Sequence, residues 1–252
     1  MEHQRITTRW LAATAQRYLD DAVTELDHDL SIARLAGLRV RFDPGFATEV
    51  AAAFERAPAF SAEHTVRNGY DVLKRESRLQ YDAIVDSGIH VEPWHGDGQP
   101  YRDSRQLYTE VRRSGTLRVL LTRDSHGPGP VTGHHPMREP AGVTARGVPL
   151  TYNDVFRVVH DIFGHVMFGH GFGPRGEFKA AYCHMRMYSP QAHPVLFAEH
   201  VGQICWFFFG PYASRHGRVP PDRRPYPEQK IIALERRYLD AFHRMFDVEE
   251  SA

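Results

Sequence analysis

The chain has 252 residues, 42% of them hydrophobic and 25% charged, with 31 basic and 31 acidic side chains. That balance excludes a disordered chain, and a net charge of zero argues against a nucleic-acid binder, which carries a basic excess. The length suits a single domain over 1–252, with an N-terminal helical segment (1–45) and a core (46–252).

Taken in order, residues 9–36 read as a helix, with Trp10, Leu11, Tyr18, Leu19, Val23, Leu26 and Leu30 at helical spacing and Gly37 as its stop. Leu38 to Phe42 alternates like a short strand and ends in an Asp43-Pro44-Gly45 turn. Helices follow over 46–57 and 62–87, the second closed by Gly88. Ile89 to Trp94 and Leu117 to Leu121 read as strands around a helix at 104–114. Residues 127–149 hold ten glycines and prolines and read as a long loop, with His134-His135-Pro136 suited to a lid. Helices are expected at 153–168, 176–188 and 194–209, separated by a Gly-rich turn (169–174) and Pro190. A Pro-rich loop (211–227) leads to a last amphipathic helix carrying Ile231, Leu234, Tyr238, Leu239, Phe242 and Phe246. The fold class is therefore mainly α with a few short β-strands.

Two cysteines, Cys183 and Cys205, make no disulfide framework and point to a reducing cytoplasm. The N-terminal stretch lacks a continuous apolar core of signal-peptide type, and the most apolar run, Ile204 to Phe209, is too short to span a bilayer. No membrane partner is expected.

Histidine is the outlier. The chain has 16, and nine of them lie between His126 and His200. Imidazole is the commonest metal ligand and the usual proton shuttle. The segment His160-Asp161-Ile162-Phe163-Gly164-His165 places two imidazoles five residues apart, about 140° around an ideal helix. Gly164 can loosen the turn and let the rings converge. Glu199, in an apolar stretch where a carboxylate is costly to bury alone, is the candidate third ligand. Two histidines and one carboxylate on one face of an octahedral ion are the signature of non-heme iron(II) oxygenases. The plainer alternative is a pair of hydrogen-bonded core histidines with Glu199 paired to an arginine.

Pro149-Leu150-Thr151-Tyr152, His160-Asp161-x-x-Gly164-His165, Phe178-Lys179-Ala180 and Glu199 together resemble the catalytic core of the pterin-dependent aromatic amino acid hydroxylases. The resemblance covers Pro149 to Gly210. It implies a helical-basket fold, iron(II) held by His160, His165 and Glu199, tetrahydropterin as reductant, and Arg146 holding a substrate carboxylate. The chain departs from that pattern in four places. Asp161 stands where the family has Glu, and Val195 where it has Trp. The Thr–Tyr order is inverted, and the gap from Arg146 to Pro149 is shorter.

A second resemblance covers roughly 45–230. A group of bacterial and phage proteins shares HDxFGH, GE, HxxMYSP and ExxGQ motifs, here His160 to His165, Gly176-Glu177, His184 with Met187-Tyr188-Ser189-Pro190, and Glu199 with Gly202-Gln203. It adds residues but no reaction. It draws attention to Glu177 and His184, seven apart and so about 20° from eclipsed on a helix. Both can face one site, behind the ligands, against substrate, or as further ligands of a dinuclear centre. Asp161 is a candidate for orienting a ligand or binding cosubstrate. Tyr152 and Tyr188 are candidates for lining an aromatic pocket.

The leading expectation is a mononuclear non-heme iron monooxygenase using dioxygen on a small aromatic or amino-acid-like molecule. The alternatives are an HD-type metal phosphohydrolase, in which His160-Asp161 would need His134 or His135 and a distant Asp, and a non-catalytic structural domain.

Overall fold

The computed structural model describes residues 6–22, 31–125, 134–214 and 219–248. Its elements run α1 (Thr8–Ala22), β1 (Leu38–Val40), α2 (Pro44–Arg56), α3 (His64–Asp86), β2 (His90–Pro93), α4 (Ser104–Ser114), β3 (Thr116–Val119), a single turn α5 (Thr122–Ser125), β4 (Pro140–Ala145) and β5 (Val148–Thr151). The C-terminal half follows with α6 (Tyr152–Val159), α7 (Pro174–Met185), α8 (His193–Phe197), α9 (Gln203–Phe209), the short α10 (Pro211–Ser214), α11 (Arg236–His243) and β6 (Phe246–Val248). Among the described residues helix dominates, and the strands form three separate pairs. No described helix is long and apolar enough to cross a membrane.

Local chemistry sets most boundaries. Asp43 caps α2 by accepting from the Gly45 backbone N–H at 2.7 Å, with Pro44 at the first helical position. Asp103 caps α4 through Gln106, and Gly115 closes that helix at φ 68°. At the start of α6, Thr151 and Asp154 form a reciprocal capping box. Asp154 also accepts from the backbone and hydroxyl of Thr122, each at 2.6 Å, which ties α6 to α5.

Several expected elements differ. The helix expected over 9–36 ends its described part at Ala22, residues 23–30 lie outside the described residues, and Ile32–Gly37 is a 3₁₀ segment. Gln16 Oε1 accepts from the Ile32 backbone N–H at 2.9 Å. In one continuous helix those residues would stand about 24 Å apart, so 9–36 is not one helix. The long loop contains a β-hairpin, β4–β5, turning at Arg146-Gly147 with both residues at positive φ (49° and 80°). That is the two-residue turn matching strand twist, and non-glycine Arg146 in its first place obscures the signal. Within that stretch, 127–133 lies outside the described residues, and Pro136–Arg138 is a 3₁₀ turn. The last helix is shorter than expected. Ile231 instead pairs with the chain at Phe60, and Phe246 begins β6, antiparallel to β1.

Among the described residues, the larger of two core clusters takes in Leu11 and Leu19 of α1, Leu73 and Ile84 of α3, Val158 of α6, Phe178 of α7 and Phe242 of α11, and a small one joins Phe54, Ala198 and Ile232. Lys230 fastens the segment before α11 to the end of α2. Its Nζ donates to the carbonyls of Phe54, Glu55 and Ala57 at 2.8, 3.1 and 2.6 Å. These carbonyls lie at the C-terminal end of α2, where backbone N–H partners run out; the Phe54 carbonyl is shared with the Ala57 N–H at 3.3 Å. Lys230→Met keeps the stem but strands them, so urea unfolding should show a loss of about 2 kcal/mol.

Candidate metal centre

The two histidines of the HDxFGH segment lie on a π-helical turn, His160–Val166, that continues α6. The backbone N–H of Met167 bonds the carbonyl of Ile162, and that of His170 the carbonyl of His165, both i→i+5 contacts. A π turn holds an extra residue, so positions five apart come close to one face, as they cannot in an α-helix. His160 Nε2 and His165 Nε2 stand 2.9 Å apart. Gly164 lies beneath the His160 ring, where a Cβ would come within 2.9 Å of Nδ1.

Helix α7 supplies the carboxylate. Glu177 Oε2 lies 3.6 Å from His160 Nε2 and 3.5 Å from His165 Nε2. Donor atoms at right angles around an ion about 2.1 Å away stand about 3.0 Å apart, so the three side chains fit a cradle for one divalent ion. The tautomers agree. His165 Nδ1 lies 3.0 Å from the carbonyl of His170 and donates to it, which leaves Nε2 as the lone-pair nitrogen. Burial raises a carboxyl pKa, yet His165 and His160 more than offset it and hold Glu177 well below the ordinary carboxylate range. Burial disfavours the His165 cation, but Glu177 outweighs it and raises that pKa. His160 and Glu177 are each 14% exposed and His165 2%, so the triad is reached along one edge.

Glu199, the ligand expected from spacing, does not join this set. It lies on a second π turn, Ala198–Gly202, between α8 and α9. Its carboxylate accepts from the Tyr70 hydroxyl at 2.5 Å and from Gln203 Nε2 at 2.7 Å, and faces His135 Nε2 at 3.2 Å. Those partners satisfy a buried carboxylate without a metal. The neighbouring His200, which the sequence gave no reason to single out, faces the cluster instead, with ring centroids 4.2 Å from His160. Adjacent residues on a helix point about 100° apart, so one of Glu199 and His200 must turn away. His135, expected in a lid, is buried beside Glu199 and Tyr70.

The remaining expected residues divide. His184 of α7 joins the cluster, and its ligand atom lies within 4.8 Å of those of His160 and His200. Tyr188 is wholly buried, its hydroxyl 3.1 Å from His184 Nε2 and 2.9 Å from Ser77 Oγ. It therefore orients a histidine. Asp161 is half-buried beside the triad, and burial raises its pKa against the pull of His160 and His165. Tyr152 begins α6 under Lys74, whose Nζ sits 5.6 Å from the ring centroid. Arg146 is 66% exposed at the hairpin turn and pairs with Glu92 at 2.5 Å, so its guanidinium is engaged outside the cluster.

No family model, curated protein or solved structure matches the chain.

Half-buried aromatic rings pack against the histidines. Phe172 packs edge-on against His165 at 4.9 Å, and Phe156 lies 5.0 Å from His184 and 6.0 Å from His200. Burial, then the neighbouring imidazoles, holds His184 and His200 well below the ordinary histidine pKa, so both are neutral and able to ligate.

Proposed function

We propose that the chain is a non-heme iron(II) monooxygenase acting on a small molecule, with His160, His165 and Glu177 as the ligands. The observation that carries this reading is two imidazole Nε2 atoms 2.9 Å apart with one carboxylate oxygen 3.5–3.6 Å from both. Iron(II) so held would supply open coordination positions and electrons to activate dioxygen, with a two-electron reductant such as tetrahydropterin.

The chain's own groups do the rest. The His170 carbonyl fixes the His165 ring, and Phe172 keeps water from its face. Asp161 follows His160 in the chain, and burial raises its carboxyl pKa against the pull of His160 and His165. A substrate carboxylate would need a partner other than Arg146, which Glu92 engages.

An HD-type phosphohydrolase finds less support, because Asp161 belongs to neither candidate ligand group among the described residues and His135 faces Glu199. A purely structural histidine cluster would leave buried ring nitrogens of His160, His184 and His200 unpaired, at about 1–3 kcal/mol each with nothing gained.

The test is elemental analysis of protein from iron-supplemented cells, followed by oxygen uptake with tetrahydropterin and aromatic amino acids. About one iron per chain at the triad and substrate-dependent oxygen uptake are expected. Folded protein that takes up no iron overturns the reading. So does phosphate-ester hydrolysis without oxygen consumption.

A further inference from the structure

Behind the triad lie imidazole nitrogens that nothing satisfies. His160 Nδ1, His184 Nδ1 and both ring nitrogens of His200 are buried without a hydrogen-bond partner. His184 is fully buried and His200 is 6% exposed. Native proteins pair nearly all such atoms, so four in one cluster call for a ligand. The orientation of His184 points the same way. Its Nε2 is engaged by Tyr188, which Ser77 holds in turn, so Nδ1 is the nitrogen presented to the cluster.

We infer that His160, His184 and His200 form a second cation subsite adjoining the first, an all-imidazole site for a first-row transition ion such as cobalt(II), zinc(II) or copper(II). One donor atom from each of the three lies within 4.8 Å of the others. Three neutral nitrogens without a carboxylate suit these ions and reject the oxygen-seeking magnesium and calcium. His160 is common to both sets. Its Nε2 faces His165 and Glu177, which leaves Nδ1 for the second ion. Gly164, lacking a Cβ, keeps that edge of the ring open. With both subsites filled, the shared ring bridges as an imidazolate, and its proton leaves to solvent. The inference rests on the proposed iron site only through this shared residue.

The experiment is cobalt(II) titration of chelator-treated, refolded-state-verified full chain, read by visible absorption and by elemental analysis after desalting. Two equivalents per chain are expected. His184→Ala, His200→Ala and Glu177→Ala should each retain one, and circular dichroism checks that each variant folds. A single equivalent in the wild type overturns the second subsite, except that one kept by Glu177→Ala and lost from both histidine variants overturns the iron site instead. If only Glu177→Ala loses it, the proposed iron site stands. No binding at all overturns both. Should the histidine variants fail to fold, the wild-type stoichiometry alone decides between two sites and one.

Discussion

Replacing Glu177 by alanine should lower iron affinity at the His160–His165 site at least about 100-fold, whereas Glu199→Gln should change it by less than about threefold. Loss of groups that merely orient a ligand costs 10–100-fold, and loss of a ligand costs no less. Glu177 Oε2 has the two Nε2 atoms as its neighbours at 3.5 and 3.6 Å. Glu199 is bound elsewhere, to Tyr70, Gln203 and His135. Its amide replacement sets an NH₂ group against the Tyr70 hydroxyl or Gln203 Nε2, so one buried donor loses its acceptor. The expected result is a stability loss of about 1–3 kcal/mol with iron retained. Elemental analysis and urea unfolding of the two variants separate the roles. Iron lost from Glu199→Gln and kept in Glu177→Ala would restore the assignment that spacing alone suggests.

Spacing points to Glu199 while the geometry brings Glu177 to the two imidazoles, and the reason is physical. The helices were legible because their apolar residues recur at 3.6-residue spacing and their caps are sharp, as at Asp103 and Thr151. The two π turns were not legible, since an extra residue in one turn leaves no compositional mark. The first converts the unfavourable five-residue step from His160 to His165 into a shared face, and Gly164 hinted at it. The second sets which of Glu199 and His200 meets the cluster. Glu177 and His184, by contrast, sit seven apart on the regular α7, and there the arithmetic of an ideal helix sufficed to put both toward one site. The β4–β5 hairpin was hidden for another reason. Glycine and proline mark a turn and a loop alike, and only the backbone angles at Arg146 and Gly147 distinguish them.

Gly164→Ala should cost about 10–100-fold in metal affinity while leaving the fold in place. A Cβ at this position meets His160 Nδ1 at 2.9 Å and Cε1 at 3.2 Å on one side, and the Ala180 Cβ at 3.2 Å on the other. It cannot retreat from the ring without pressing on α7, so His160 must swing away from His165. A ligand displaced by about 1 Å loses much of its worth even when every residue of the set remains. Stability moves far less, because overpacking costs about 1–3 kcal/mol and the better helix propensity of alanine returns up to about 1 kcal/mol. Adding Ala180→Gly removes the obstruction on the α7 side. The double variant should then recover part of the lost affinity, although glycine within α7 lowers stability by about 1 kcal/mol more. Isothermal titration with a divalent ion and thermal melts of the three variants check both halves. Undiminished binding by Gly164→Ala would mean that the His160 ring does not need the space this glycine leaves.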